Sequence, residues 1–91
     1  MKPIKRWDKD PDAVLDYAIN WATWLDTDTI STSTWTVESG LTKDSDTKTT
    51  TIATIWVSGG TLATSYSGVN HIVTAAGREE DRTVMWDVKE R

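Results

Sequence analysis

The chain has 91 residues and a formal net charge of −4, and a chain this short supports one domain because small chains bury too little surface for a second core. It has no cysteine and one histidine, which excludes a disulfide framework, a thiolate zinc site and a histidine-rich metal cluster. Its net negative charge argues against a nucleic-acid or anionic-membrane partner, since both require a clustered positive field. No apolar run approaches the length of a transmembrane helix.

Tryptophan dominates the aromatic content. The chain has six tryptophans and no phenylalanine, and each indole can bury roughly 150–250 Å². Threonine and serine are abundant, and β-branched threonine fits the pleated surface of a strand better than the interior of a helix. The composition therefore predicts a small β-domain whose core depends on a few indole rings.

The N-terminal third gives two expectations. Residues 1–12 contain both prolines and alternating charges, so we interpret them as an N-terminal arm that precedes a domain over residues 13–91. Residues 13–25 fit both helical and strand spacing. The β-like sequence downstream favours a strand over 15–21, followed by a helical turn over 22–26.

The middle of the chain alternates in polarity. Residues 29–38 predict a strand, residues 41–47 a polar loop, and residues 48–58 a second strand. This second strand has apolar residues on both faces, among them Ile55 and Trp56. It is therefore expected to be covered on both sides or to contact a partner chain.

The C-terminal third continues the pattern. Gly59-Gly60 indicates the two-residue turn of a hairpin, runs over 61–67 and 69–75 follow, and a charged loop begins at Gly77. Residues 82–90 give the clearest strand. The whole pattern predicts an all-β, antiparallel sandwich or barrel of five to seven strands. Its expected core contains Trp21, Trp35, Trp56, Val84, Trp86 and Val88.

Catalytic and metal-binding patterns are weak. His71 lies in a predicted strand with no nucleophile motif, and we interpret it as a packed or solvated strand residue. The triplet Asp8, Asp10 and Asp12 resembles a calcium loop, but Ala13 stands where such a loop needs glycine. We therefore predict no enzyme activity and no cofactor.

A partner interface is expected from residues outside the clean strands. Trp7 lies in the arm and Trp24 follows the first strand, where an exposed indole is costly unless something covers it. The charged segment 78–82 is either an ion-pair patch for a partner or a solvated hairpin tip. The candidate interface residues are Ile4, Trp7, Trp24, Arg78 and Arg82.

Several motifs spread over residues 9–90 carry a family resemblance. They include Asp10-Pro11-Asp12-Ala13-Val14-Leu15-Asp16-Tyr17, Asn20-Trp21, Trp24-Leu25, Trp35-Thr36-Val37, Thr54-Ile55-Trp56-Val57-Ser58-Gly59-Gly60-Thr61, Asn70-His71-Ile72-Val73-Thr74 and Asp81-Arg82-Thr83. On these motifs the chain resembles the tailed-phage fiber-tail adaptor or minor virion structural proteins. Two positions depart from the family pattern. Asn20 stands where aspartate is common, and Ser67-Gly68-Val69 interrupts a β-branched run, which suggests a bulge.

The resemblance implies an immunoglobulin-like β-sandwich of about six to seven strands that acts as a structural virion protein. In this interpretation the chain links a tail fiber or a neighbouring tail protein to the head–tail connector. It would be present in several copies per particle and would assemble in the host cytoplasm. Two alternatives stay open: a capsid decoration protein with the same fold, and a carbohydrate-binding attachment module.

Overall fold

The alternating polarity of the chain is realised as strands in the computed structural model, which describes residues 5–90. Seven strands and one short helix follow in order: β1 (Lys5–Lys9), β2 (Leu15–Asn20), α1 (Ala22–Leu25), β3 (Ile30–Val37), β4 (Leu41–Lys48), β5 (Ile52–Gly59), β6 (Ser65–Thr74) and β7 (Glu79–Val88). The predicted strand and helical turn over residues 15–26 thus correspond to β2 and α1.

The strands form two sheets. One sheet has the order β1-β7-β6-β3 and the other the order β2-β5-β4. All neighbours are antiparallel except β1, which runs parallel to β7. This is the strand order of an immunoglobulin sandwich with its first strand placed beside the last strand. The predicted all-β sandwich is confirmed.

A tyrosine anchors the connection between β5 and β6. The Tyr66 hydroxyl accepts a hydrogen bond from the backbone N–H of Thr61 at 2.9 Å. Gly40 leaves room for the ring, because a Cβ there would lie 2.5 Å from Cε1 of Tyr66. Immunoglobulin-like domains use a tyrosine in the same way at the start of their sixth strand.

The core lies between the facing sides of the two sheets. Five of the six residues predicted for the core are buried there: Trp21, Trp35, Val84, Trp86 and Val88. They pack with aliphatic side chains of the second sheet, including Ile55 and Val57. The alternation predicted for residues 82–90 places Val84, Trp86 and Val88 on the inner face of β7.

Trp56 departs from the prediction, since its side chain is 41% exposed. Strand β5 pairs Ala53 with Ile19 and Ile55 with Tyr17, and these residues share the face that points toward the other sheet. Trp56 is out of phase with them and lies on the outer face. Apolar residues occur on both faces of β5, so periodicity alone could not show which face is inside.

Strand boundaries differ from the predictions at several places. The predicted loop at 41–47 is strand β4, and the strand predicted over 48–58 begins only at Ile52, after Lys48 has ended β4. Of the two runs predicted over 61–75, residues 65–74 form the single strand β6. This strand lies in the other sheet from β5, so Gly59-Gly60 does not close a hairpin. Residues 79–81 of the predicted charged loop open β7. Hydrogen bonds to neighbouring strands hold these polar segments in place, although their side chains give little apolar periodicity.

Part of the predicted arm also belongs to a sheet. Residues 5–9 form β1, and Lys9 is fully buried at the end of this strand. The ammonium of Lys9 donates hydrogen bonds to the carbonyl oxygens of Gly59, at 2.7 Å, and Asp10, at 2.9 Å. Burial lowers the pKa of Lys9. The lysine thereby connects β1 of one sheet to β5 of the other.

Candidate partner interface

One end of the sandwich is built from α1 and the turn between β6 and β7, and Asp28 joins them. Its carboxylate accepts hydrogen bonds from the backbone N–H groups of Thr29, at 2.8 Å, and Ala76, at 3.2 Å. Hydrogen bonding from the Thr74 hydroxyl, with further donors from Thr29, Arg78 and Ala76, lowers the pKa of Asp28 to about 2. Asp28 is therefore ionised at neutral pH and holds the turn against α1.

Arg78 lies over Trp24 at this end. Its guanidinium is 4.3 Å from the ring centroid of Trp24, and its Nε donates to Asp28 at 3.1 Å. A second guanidinium nitrogen donates to the carbonyl oxygen of Leu25 at 3.0 Å. Arg78 and Trp24 thus help to hold this end of the domain together, while the Arg78 side chain stays 45% exposed.

Trp21 links this pair to the adjacent side of the sandwich. Its ring contacts Trp24 edge-on, with 5.5 Å between the centroids, and the guanidinium of Arg82 lies 4.1 Å from the Trp21 ring. The arrangement places two arginines and two indoles in a continuous set of contacts, which we call the end cluster: Trp21, Trp24, Arg78 and Arg82. Cation–π contacts of this kind stabilise an arginine beside an indole ring.

Trp7 closes the neighbouring side of the sandwich. Its ring packs against Tyr17 of β2, at 4.8 Å between centroids, and against Trp86 of β7, at 5.5 Å. A groove of about 270 Å³ runs beside it. We call this the side groove; it is lined by Lys5, Trp7, Ala18, Ile19, Asn20 and Arg82.

The structure brings most of the predicted interface residues into one region. Trp24 and Arg78 lie in the end cluster, Trp7 lies in the side groove, and Arg82 belongs to both. Ile4 lies outside the described residues. Both indoles are partly buried against the core, so they also have a packing role. Contact of this region with a partner stays a prediction.

Sequence reasoning missed two polar groups in this region. Lys5 enters the side groove because it alternates with Trp7 along β1, a signal hidden inside the predicted arm. Asn20 accepts a hydrogen bond from the N–H of Ala22 at 2.9 Å and so supports the start of α1. An aspartate, which the family resemblance led us to expect, has the same acceptor oxygen, so the departure leaves this contact intact.

The single histidine lies on the outer face of β6. Its Nδ1 is 2.5 Å from Asp81 and its Nε2 is 3.0 Å from Glu79. The hydrogen bond with Asp81 is the main cause that raises the pKa of His71, and Glu79 adds to it. Both ring nitrogens are occupied by carboxylates, so neither is placed to activate a nucleophile.

The described residues contain neither a metal-ligand cluster nor a membrane-spanning helix. Within residues 5–90, no group of three or more histidine and carboxylate side chains is placed to hold a metal ion. No helix in that range is long and apolar enough to cross a membrane. The triplet Asp8, Asp10 and Asp12 is divided between a strand and a turn, where Asp10 accepts a hydrogen bond from the N–H of Asp12 at 2.9 Å.

Comparison with known proteins identifies the family. No curated protein matches the chain. The family model for the podophage GP4 fiber-tail adaptor protein gp77 matches residues 9–86, which span β2 to β6, α1 and most of β7. This is a family of structural adaptors of the phage tail and not an enzyme family. The chain therefore belongs to the podophage GP4 fiber-tail adaptor gp77 family and is a virion structural protein.

Proposed function

We propose that the chain joins a tail fiber, or a neighbouring tail protein, to the head–tail connector of the virion. The observation that carries this proposal is the family match over residues 9–86, which covers nearly the whole domain. In this role the chain acts by adhesion, without catalysis or a cofactor. It assembles in several copies in the host cytoplasm, and it binds neither nucleic acid nor a membrane.

The surface of the domain is compatible with two neighbours at once. The end cluster and the side groove form one region with exposed cations and partly buried indoles. A second region is the outer face of the sheet β2-β5-β4, where Trp56 is 41% exposed. Tryptophan and arginine are enriched among the residues that contribute most to protein interfaces. Two such regions on one small domain support a bridging role.

Deletion of the gene from the phage tests this proposal. We expect particles that retain filled heads and connectors but lack attached fibers, and we expect purified wild-type chain to restore fiber attachment. Electron microscopy of the particles and quantitative mass spectrometry of their proteins measure both outcomes. Fibers attached in normal numbers without the chain would refute the proposed bridge.

The same mass spectrometry distinguishes the alternative role on the capsid. Closed symmetry fixes copy numbers, so a tail adaptor follows the symmetry of the tail ring and a decoration protein follows the icosahedral lattice. We expect a copy number equal to that of the tail ring or a small multiple of it. A copy number that matches the coat protein would assign the chain to the capsid.

A further inference from the structure

Within residues 5–90, one edge of strand β2 is free. This strand is the first of the sheet β2-β5-β4 and pairs only with β5. The N–H of Trp21 donates to the carbonyl oxygen of Thr51 at 2.8 Å, in register with the β2–β5 ladder. In an antiparallel ladder, backbone groups alternate between the two sides of a strand. The N–H and C=O groups of Asp16, Ala18 and Asn20 therefore point away from β5, toward the free edge.

The other edge strands carry features that discourage pairing with another chain. Strand β1 has three cations among its five residues, and β4 has a register shift between Lys43 and Ser45 with charged side chains on both sides of it. Strand β3 also has a register shift, between Ile30 and Thr32. Strand β2 has one charged residue, Asp16, and no lysine, proline or register shift. Natural sheets use such features to protect exposed edges, so β2 is the least protected edge here.

The side groove beside β2 is cationic. Its lining contains Lys5 and Arg82, and the described residues that line it include no carboxylate. Arg6 and Arg78 each form an ion pair with an aspartate, whereas within residues 5–90 neither Lys5 nor Arg82 does. Two cations without counter-charges in a chain of net charge −4 favour an acidic ligand in this groove.

We propose that an extended, acidic segment of a neighbouring tail protein adds as a strand to the free edge of β2. This inference rests on the proposed adaptor function and specifies one of its contacts. The backbone of the segment would pair with Asp16, Ala18 and Asn20. Because side chains alternate along a strand, every second side chain would point into the side groove. Carboxylates at those positions would meet Lys5 and Arg82, and the apolar parts of the segment would contact Trp7.

A second copy of the same chain fits this edge less well. Pairing of two β2 strands about a twofold axis would bring the two side grooves together. Lys5 and Arg82 of one copy would then approach the same cations of the other copy, and like charges placed opposite one another destabilise a strand pair. The charge of the groove therefore selects an acidic partner.

A binding experiment tests the backbone part of the proposal. Fluorescently labelled chain is titrated onto tails purified from phage that lack this gene. We compare the wild type with Ala18→Pro, which removes an N–H at the free edge, and with its matched control Ala18→Ser, which keeps that N–H. Proline is tolerated where a strand N–H faces solvent, and melting curves check that both variants fold. We expect Ala18→Pro to weaken binding by about tenfold, and Ala18→Ser by less than about twofold.

Substitution of the two groove cations tests the charge part of the proposal. Lys5→Gln and Arg82→Gln each remove one cation of the side groove, and Lys43→Gln removes one exposed cation of β4 as a control with the same change in net charge. We expect the two groove variants to weaken binding about three- to tenfold each, and Lys43→Gln to leave it unchanged. Added salt should weaken wild-type binding more than it weakens binding of the groove variants.

Each outcome has a definite meaning. If Ala18→Pro and both groove variants bind as tightly as the wild type, the strand-addition proposal is overturned and the adaptor function stands. Failure of the wild type to bind these tails overturns the adaptor function and this contact with it. If the wild type self-associates in ultracentrifugation and Ala18→Pro abolishes this self-association, the edge binds a second copy of the chain. That result would overturn the proposal of an acidic partner.

Discussion

Asn70 of β6 holds strand β3 and the residue before α1 together through its amide group. Its Oδ1 accepts a hydrogen bond from the indole Nε1 of Trp21 at 2.9 Å, and its Nδ2 donates to Ser33 Oγ at 2.9 Å and to the carbonyl oxygen of Thr34 at 3.2 Å. The residue is fully buried, and these contacts satisfy both ends of its amide. A buried polar group is tolerated when it is hydrogen-bonded in this way.

Replacement of Asn70 by alanine tests this network. We expect Asn70→Ala to lower the free energy of unfolding by about 2–4 kcal/mol, because it leaves a cavity and a buried indole N–H without its acceptor. Urea denaturation followed by tryptophan fluorescence measures the change. Ser33→Ala is the control, since it removes one acceptor on a half-buried residue and should cost only about 0.5–1.5 kcal/mol. Equal losses in the two variants would contradict the central role of Asn70.

The burial of a strand residue was predictable only where one face of the strand is clearly more apolar than the other. Along β7 the large apolar side chains of Val84, Trp86 and Val88 alternate with Met85 and Asp87, and this stripe identifies the inner face. Along β5 both faces are apolar, so the exposure of Trp56 depends on its pairing with the neighbouring strands. The burial of Lys9 could not be predicted, because it requires two carbonyl oxygens that only the folded chain brings to its ammonium.

At the scale of elements, β6 and β7 fit together through a glycine and an indole. Gly68 lies on the inner face of β6 next to the buried ring of Trp86, and a Cβ at Gly68 would be 2.5 Å from Cζ3 of that ring. The β6–β7 ladder continues through this position without a register shift, and the β3–β6 ladder runs from Thr32 to Val37 and ends at Gly68 in regular pairing. The bulge suggested for Ser67-Gly68-Val69 is therefore wrong: the glycine makes room for the ring and does not bend the strand.

A larger side chain at this position should push the two strands apart. We expect Gly68→Ala to lower the free energy of unfolding by about 1–3 kcal/mol, because the buried indole has no free space to move into. A double-mutant cycle with Trp86→Leu measures the coupling by chemical denaturation. The alanine should cost clearly less once the indole is gone. Additive effects of the two substitutions would show that the close approach to Trp86 is not the cause.

Whole elements were predictable to the extent that their side chains alternate. The run that became β7 has a clear apolar stripe, whereas β4 after Leu41 is composed of polar residues, mostly exposed. Its strand conformation comes from backbone pairing with β5, which no local pattern reports. The same limit applies to the end cluster, because contacts such as Arg82 with Trp21 join residues far apart in sequence.

At the scale of the whole molecule, two titrating groups make the free energy of unfolding depend on pH. His71 stabilises the fold at lower pH, and Asp28 stabilises it at higher pH. The pKa of His71 is raised above 6.5, so the folded chain holds the imidazole proton more tightly than the unfolded chain. Its contribution is complete below that value and is lost as the pH rises through the raised pKa. The pKa of Asp28 is about 2 instead of 3.8, so its contribution is present above 3.8 and is lost as the pH falls toward 2.

The histidine effect can be measured near neutral pH. We expect the urea midpoint of the wild type to fall between about pH 5.5 and pH 8.5, and the fall to shrink in His71→Gln. The difference should be small, because the imidazole and both carboxylates are largely exposed to solvent. An identical fall in the wild type and the variant would exclude His71 as its source.

The parallel pairing of β1 with β7 determines how the domain responds to tension. The first strand enters at one end of the sandwich, and the last strand leaves at the opposite end. A force that pulls the two termini apart must slide these strands along one another, so their ladder hydrogen bonds share the load instead of opening one by one. A tail component linked to its neighbours through its two ends would thus be mechanically strongest in the direction in which it is stretched.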